Sequence, residues 1–145
     1  MQFKMSTEQL ITSNHSLKEN AVSFLLLVAS GKAREAYQTY ISSDFRHHNL
    51  YFRGNAESLM LEMEENAALY LNKILEVKLA IQEKNTKNTL VVHSHVRQNP
   101  EGLGGAVVHI FRFQDNQTVE LWDIGQRIPE DSLMRTGCSN LVNGC

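Results

Sequence analysis

The chain predicts an α+β fold: three N-terminal helices packed in a curved, mostly antiparallel sheet. Three observations carry that expectation. Helical periodicity fills the first half and strand-like alternation fills the second. The breaks between the strand-like runs are short and polar, "EKNTKN" at 83–88 and "QDNQ" at 114–117, which suits hairpins. Helices grouped ahead of strands argue against alternating parallel βαβ units.

The elements follow in order. Ser16 with Glu19 three residues later forms a capping box, so a helix starts there. Leu17, Ala21, Phe24, Leu25 and Val28 then make one apolar stripe, and Gly31 closes the helix. A short second helix carries Ala33, Ala36, Tyr37, Tyr40 and Ile41 on one side. Residues 42–54 mix aromatics with turn formers and leave room for a short strand. Leu59, Met60, Met63 and Ala67 mark a third helix with Asn55 as its cap. The strands are expected at 73–83, 88–98, 105–114 and 118–128. Three amphipathic helices would cover one face of such a sheet, and a pocket would form where the sheet curls around them. Residues 1–130 read as a single domain and 131–145 as a tail with little periodicity.

Composition narrows the function classes. The chain has 145 residues, 42% of them apolar and 21% charged, which suits one soluble domain with one core. The formal charge is −2 with both signs interspersed, so no basic footprint for nucleic acid is present. The longest apolar run, Phe24 to Ala29, is far too short for a membrane helix. The opening "MQFKMSTEQL" lacks a signal-peptide core, so the expected location is cytoplasmic. Cys138 and Cys145 read as free thiols on the tail, because their spacing fits no CxxC site. No glycine-rich phosphate loop and no GxSxG motif occurs.

Alternation along the strands sorts the side chains into faces. Val107, His109, Phe111 and Phe113 share one face; Val119, Leu121 and Asp123 share another. A three-residue loop at 115–117 would pair Phe113 with Val119, Phe111 with Leu121 and His109 with Asp123. It would also set Arg112 opposite Glu120 and Ile110 opposite Trp122, so both faces make chemical sense. A two-residue loop would set Phe111 opposite Glu120, a poorer match. The register therefore makes Asp123 the neighbour of His109 on an apolar face. On strand 88–98, Val91, His93, His95 and Arg97 share a side, and a pairing of His95 with His109 is plausible. The opposite sheet face, with Val108, Ile110, Trp122 and Ile124, is too apolar for water, and a second subunit is expected to cover it.

The segments "FRHHNLYFRG", "VVHSHVR", "AVVHIFRF" and "VELWDIGQRIP" together resemble the SnoaL-like polyketide cyclase family. The resemblance is nearest to its bacterial branch of predicted aldol-condensation enzymes, and it spans roughly residues 15–130. It implies a cone-shaped, cystatin-like α+β barrel of the kind shared by ketosteroid isomerase and nuclear transport factor. It implies a homodimer formed through the sheet, and a pocket inside the cone. It also implies an acid/base carboxylate on the last strand, here Asp123, for an intramolecular aldol closure. The histidine of its "HHN" turn becomes His48 with Asn49 beside it, and His109 takes the pocket-facing place on its strand. Many members of that superfamily are not enzymes, so the fold alone does not decide.

Asp123 and His109 are thus the candidate catalytic pair, and His48, His95, Asn49, Tyr51, Phe111 and Met63 the candidate substrate-binding residues. A carboxylate among apolar neighbours can take a proton from carbon beside a carbonyl and return it. Each residue has a plainer reading: Asp123 as a structural partner of His109, His109 as a hydrogen-bonded core histidine, Tyr51, Phe52, Met60 and Met63 as core. His47 and His15 read as exposed, and His95 is favoured over His93 for the pocket. The expected activity is a small cofactor-free aldol-type cyclase or isomerase acting on an apolar carbonyl compound. The alternatives are a non-catalytic ligand-binding dimer of the same fold and a metal-binding histidine cluster. His93, His95, His109 and Asp123 could in chemical terms hold Zn²⁺ or Fe²⁺ in a cupin-like order. The helical first half and the lack of a nearby Glu after the HxH pair argue against it, so no metal is expected.

Overall fold

The computed structural model describes residues 16–50 and 53–131. Helix α1, Leu17–Ala29, starts at the capping box: Ser16 Oγ accepts the Glu19 N–H at 3.2 Å and Glu19 Oε2 accepts the Ser16 N–H at 2.9 Å. Two of the orphan donors of the first turn are satisfied this way. At its other end the Gly31 N–H reaches the Val28 carbonyl and the Lys32 N–H the Leu27 carbonyl. This double closure needs a left-handed residue, and Gly31 supplies it with φ +90°.

Helix α2, Ala33–Tyr40, buries Ala33, Ala36, Tyr37 and Tyr40, together with Thr39, whose hydroxyl donates back to the Glu35 carbonyl. Ile41 no longer belongs to the helix; it opens strand β1, Ile41–His47. Helix α3, Ala56–Leu69, is capped by Asn55, whose Oδ1 accepts the Ser58 N–H at 2.9 Å. Leu59 and Ala67 are its buried residues, and Met60 and Met63 pack against the core from its side.

Four more strands follow: β2 Ile74–Gln82, β3 Thr89–Arg97, β4 Gly105–Gln114 and β5 Gln117–Arg127. The sheet order is β1-β5-β4-β3-β2. All neighbours are antiparallel except β1 with β5, which run parallel. One face carries the core. Leu90, Val92, Phe111 and Leu121 are fully buried there, and Phe24 from α1 meets Phe111 edge-on with ring centroids 5.9 Å apart. The helices lie on this concave face, and no helix among the described residues is long and apolar enough to cross a membrane.

The last hairpin departs from the expected loop while keeping the expected register. Its turn has two residues, Asp115 and Asn116, both left-handed with φ of 52° and 64°. That is the mirror-image turn that matches the twist of a hairpin. Gln114 then pairs with Gln117 and Phe113 with Thr118, not with Val119. A bulge leaves Val119 as the extra residue, after which Arg112 pairs with Glu120, Phe111 with Leu121, Ile110 with Trp122 and His109 with Asp123. The bulge does what the third loop residue was expected to do.

Candidate functional site

The concave face changes character toward the end of the sheet where β1 and β5 finish. Apolar side chains give way to Asp123, His109, His47 and Asn49. Asp123 is opposite His109 on adjacent strands, and its Oδ1 is 3.4 Å from His109 Nε2. Its other oxygen, Oδ2, accepts a hydrogen bond from Asn49 Nδ2 at 3.0 Å. The carboxylate keeps 20% of its side-chain exposure, so one side stays open.

His47 is the inward histidine of the pair. Strands β1 and β5 place it beside Leu121, so it shares the concave face, as does Phe45 two residues before it. Its Nδ1 accepts the Asn49 N–H at 3.2 Å, which puts the proton of the neutral ring on Nε2. No hydrogen bond of acceptable geometry reaches that buried Nε2 among the described residues, although the Arg53 carbonyl is near enough to favour the charged ring. Burial outweighs this and pushes His47 below its ordinary value, with Asp123 pulling the other way.

His109 is also held below its ordinary value, chiefly by burial, with Lys73 adding to the effect and Asp123 opposing it. Its Nδ1 is buried without a hydrogen-bond partner among the described residues. Two further residues complete the site. Tyr37, from α2, has its phenol pushed well above the usual range by burial and then by the negative Asp123. Its hydroxyl is 3.7 Å from the Met63 sulfur, which ties Met63 to the rim of the cluster. Lys73, just ahead of β2, has its amine pushed below the usual lysine range by burial, with Asp123 opposing.

The expected site residues therefore divide. Asp123, His109 and Asn49 come together, with Met63 behind Tyr37. His48 is a correction: it lies on the convex side, stacked on Trp122 with centroids 4.6 Å apart, and its Nε2 is 2.7 Å from Glu120 Oε2. His47, expected to be exposed, takes the inward place. His95 is the second correction. Val92 pairs with His109, whereas His95 pairs with Ala106, so alternation sends His95 and His93 to the convex face. His95 is buried there, with Nε2 2.6 Å from the Leu103 carbonyl of the β3–β4 loop. Phe111 is fully buried between Phe24 and Phe113 and presents no surface to a ligand. Tyr51 lies outside the described residues. The histidine set that could imitate a cupin is split across the two faces, and no group of three metal-ligating side chains assembles among the described residues.

Tyr37 and Lys73 were missed as site residues. Tyr37 reads as helix core, and Lys73 reads only as the start of a strand. Neither carries a local signal, because Tyr37 lies on α2 and Lys73 ahead of β2, both far from Asp123 in sequence.

A hollow of about 660 Å³ opens on the same face beyond the cluster, lined in part by Val96, Gly105, Val107, Gly125 and Arg127. Its lining does not include the acid/base pair. Val107 and Gly125 are one pleat repeat beyond His109 and Asp123 on the same strands.

No family model matches the chain, and no curated protein matches it. Solved structures do. An uncharacterized cystatin fold protein from Novosphingobium aromaticivorans superposes with a TM-score of 0.61 at 18% identity, over 77% of this chain and 99% of that one. An NTF2-like protein of unknown function from Cytophaga hutchinsonii gives 0.62 at 13% identity, over 84% and 95%. A SnoaL-like polyketide cyclase from Agrobacterium tumefaciens gives 0.60 at 10% identity, over 77% and 92%. At these identities the likeness is one of fold: the chain has the α+β architecture of the cystatin-fold, NTF2-like and SnoaL-like structures.

Proposed function

We propose that this chain is a small-molecule enzyme that moves protons beside a carbonyl group, as an aldol-type cyclase or an isomerase. The observation that supports it is Asp123: a partly open carboxylate at the polar end of the concave face, held by Asn49 and set beside His109. In this reading Asp123 takes a proton from the carbon next to the substrate carbonyl. The charge that develops on the carbonyl oxygen is met by the Tyr37 hydroxyl or the His47 Nε2–H, both neutral donors in a partly dry site. In a cyclisation the enolate carbon attacks a second carbonyl of the same molecule, and the new alkoxide takes the proton back from Asp123. In an isomerisation the same proton returns to a different carbon. In both cases the protein exchanges only a proton with the substrate, and in the cyclisation the new C–C bond forms within the substrate.

The ligand would be a mainly apolar carbonyl compound, since Val96, Leu103 and Val107 line the hollow beyond the carboxylate. That the SnoaL-like neighbour is described as a polyketide cyclase agrees with this class. The competing reading, a binding module without catalysis, finds support in the hollow, whose lining stops short of Asp123. Solvent-deuterium exchange into a panel of aryl ketones and cyclic diketones, followed by NMR, separates the two. The catalyst reading expects exchange that disappears in Asp123→Asn while the fold persists. Equal exchange in Asp123→Asn would end it.

A further inference from the structure

We propose that the hollow at the end of the concave face is a binding site for a flat, mainly apolar molecule carrying one carboxylate, which Arg127 holds while Gly125 keeps the floor clear. The site depends on the hollow alone and stands whether or not Asp123 is a catalyst.

The hollow of about 660 Å³ falls within the size range of small-molecule sites. Val96, Leu103, Val107 and Ile128 give it apolar walls. Its floor is short of side chains. On β4 and β5 the pairs Gly105–Arg127 and Val107–Gly125 are consecutive on the concave face, and each has glycine on one side. The two glycines have different causes. A Cβ on Gly105 would come within 3.0 Å of the Gln126 carbonyl oxygen, so the close strands leave little room for a side chain. A Cβ on Gly125 would meet nothing nearer than Val107 Cγ2 at 3.8 Å, and Gly125 has no left-handed backbone. The fold would therefore accept a side chain at 125, although glycine inside a strand weakens it. What the missing side chain leaves is bare backbone under the hollow, on which a flat ring can lie at van der Waals distance.

Arg127 supplies the charge. Alternation puts it on the same face as Gly125, and it lines the hollow. It makes no ion pair and no side-chain hydrogen bond among the described residues, whereas Arg112 is tied to Glu120. Its guanidinium is free to donate two parallel N–H bonds, and a carboxylate is the group whose two oxygens fit that fork. Apolar walls beside the guanidinium exclude part of the water that would otherwise screen the pair. Glu130 also lines the hollow, so the local charge is close to balanced. That balance suits one negative charge and disfavours a phosphate dianion.

The probe is 2-naphthoate, with 2-naphthamide as its neutral counterpart of the same shape. Each is titrated into the full chain, with equilibrium dialysis for affinity and ¹H–¹⁵N NMR for location. The expected result is saturable binding of one 2-naphthoate per chain with a Kd below about 1 mM, shifting the amides of Gly102, Gly104, Gly105 and Gly125 first. The neutral amide should bind about tenfold more weakly. Arg127→Gln should erase that difference. Gly125→Leu should remove binding of both compounds while circular dichroism stays unchanged. If that variant does not fold, Gly125→Ala, whose Cβ has room, should still weaken both compounds. No saturable binding up to about 1 mM, equal affinity for the two compounds, or undiminished binding in the Gly125 variant would overturn the proposal. The outcome is separable from that of the acid/base reading. Naphthoate binding without Asp123-dependent deuterium exchange keeps the site and ends the catalyst. Exchange without naphthoate binding ends the site and keeps the catalyst.

Discussion

His47 and His48 are consecutive residues that end on opposite sides of the sheet. His47 is buried on the concave face beside Phe45, and His48 stacks on Trp122 outside. One peptide step therefore separates a group on the concave face from one on the convex face. His47→Gln should lower turnover about a hundredfold if its Nε2–H is one of the donors to the developing oxyanion. His48→Ala removes a half-exposed pair with Glu120 and the stack on Trp122, and should cost about 1 kcal/mol of stability, with turnover retained. Steady-state kinetics on the two variants, with the substrate that the exchange screen identifies, checks the contrast. A larger loss in His48→Ala would reverse the assignment.

Acid should destabilise the fold through the same histidines. Burial holds His47 and His109 below their ordinary value, so the folded state binds their protons less readily than the unfolded chain does. The stability this represents is fully present above the unfolded value of about 6.5 and is lost as pH falls below it, toward the lower folded values. The slope inside that window is at most about 1.4 kcal/mol per pH unit for each histidine. Asp123 opposes the effect on both rings, and Lys73 reinforces it on His109. Urea denaturation between pH 7 and pH 5 should show the loss, and His109→Gln should flatten it. A stability that is constant across this range, or that rises toward acid, would contradict the buried neutral histidines.

How much of this was legible beforehand depends on what sets each register. The His109–Asp123 pairing could be read because both faces of the last hairpin had to match, and that demand survived an error in the turn. Asp115 and Asn116 tolerate left-handed backbone, so the tighter turn formed and Val119 bulged to restore the match. The face of His95 could not be read the same way. The β3–β4 loop is too long to set a register, and both sides of β3 carry valine. Burial by β2 and the helices decided in favour of Leu90, Val92 and Ser94. At β1 a signal was present: Ile41 and Phe45 are the apolar residues of its strand, and alternation from Phe45 points to His47. Tyr37 and Lys73 had no such signal, because their electrostatic link to Asp123 joins segments far apart in sequence.

The convex face is where a second copy should bind. Leu79, Ile81 and Ile124 are each about half exposed, at 46%, 53% and 55%, and they share that face with Ile110, Val108 and Trp122. An apolar surface this continuous on a sheet is costly to leave in water. The Arg112–Glu120–His48 chain of polar contacts beside it supplies the rim that such an interface usually has. A homodimer through this face leaves the concave site of each copy open. Trp122→Glu should weaken it at least a hundredfold, or about 2.8 kcal/mol, because a charge would be buried without a partner. Trp122 also packs on His48 within one chain, so Ile124→Glu is the cleaner companion: its side chain is half exposed in the single chain, and the substitution should spare the fold. Sedimentation at micromolar concentration decides the matter. A dimer that both variants convert to monomer, with unchanged circular dichroism, fits the interface. A wild-type monomer at that concentration, or a dimer indifferent to both substitutions, rules it out.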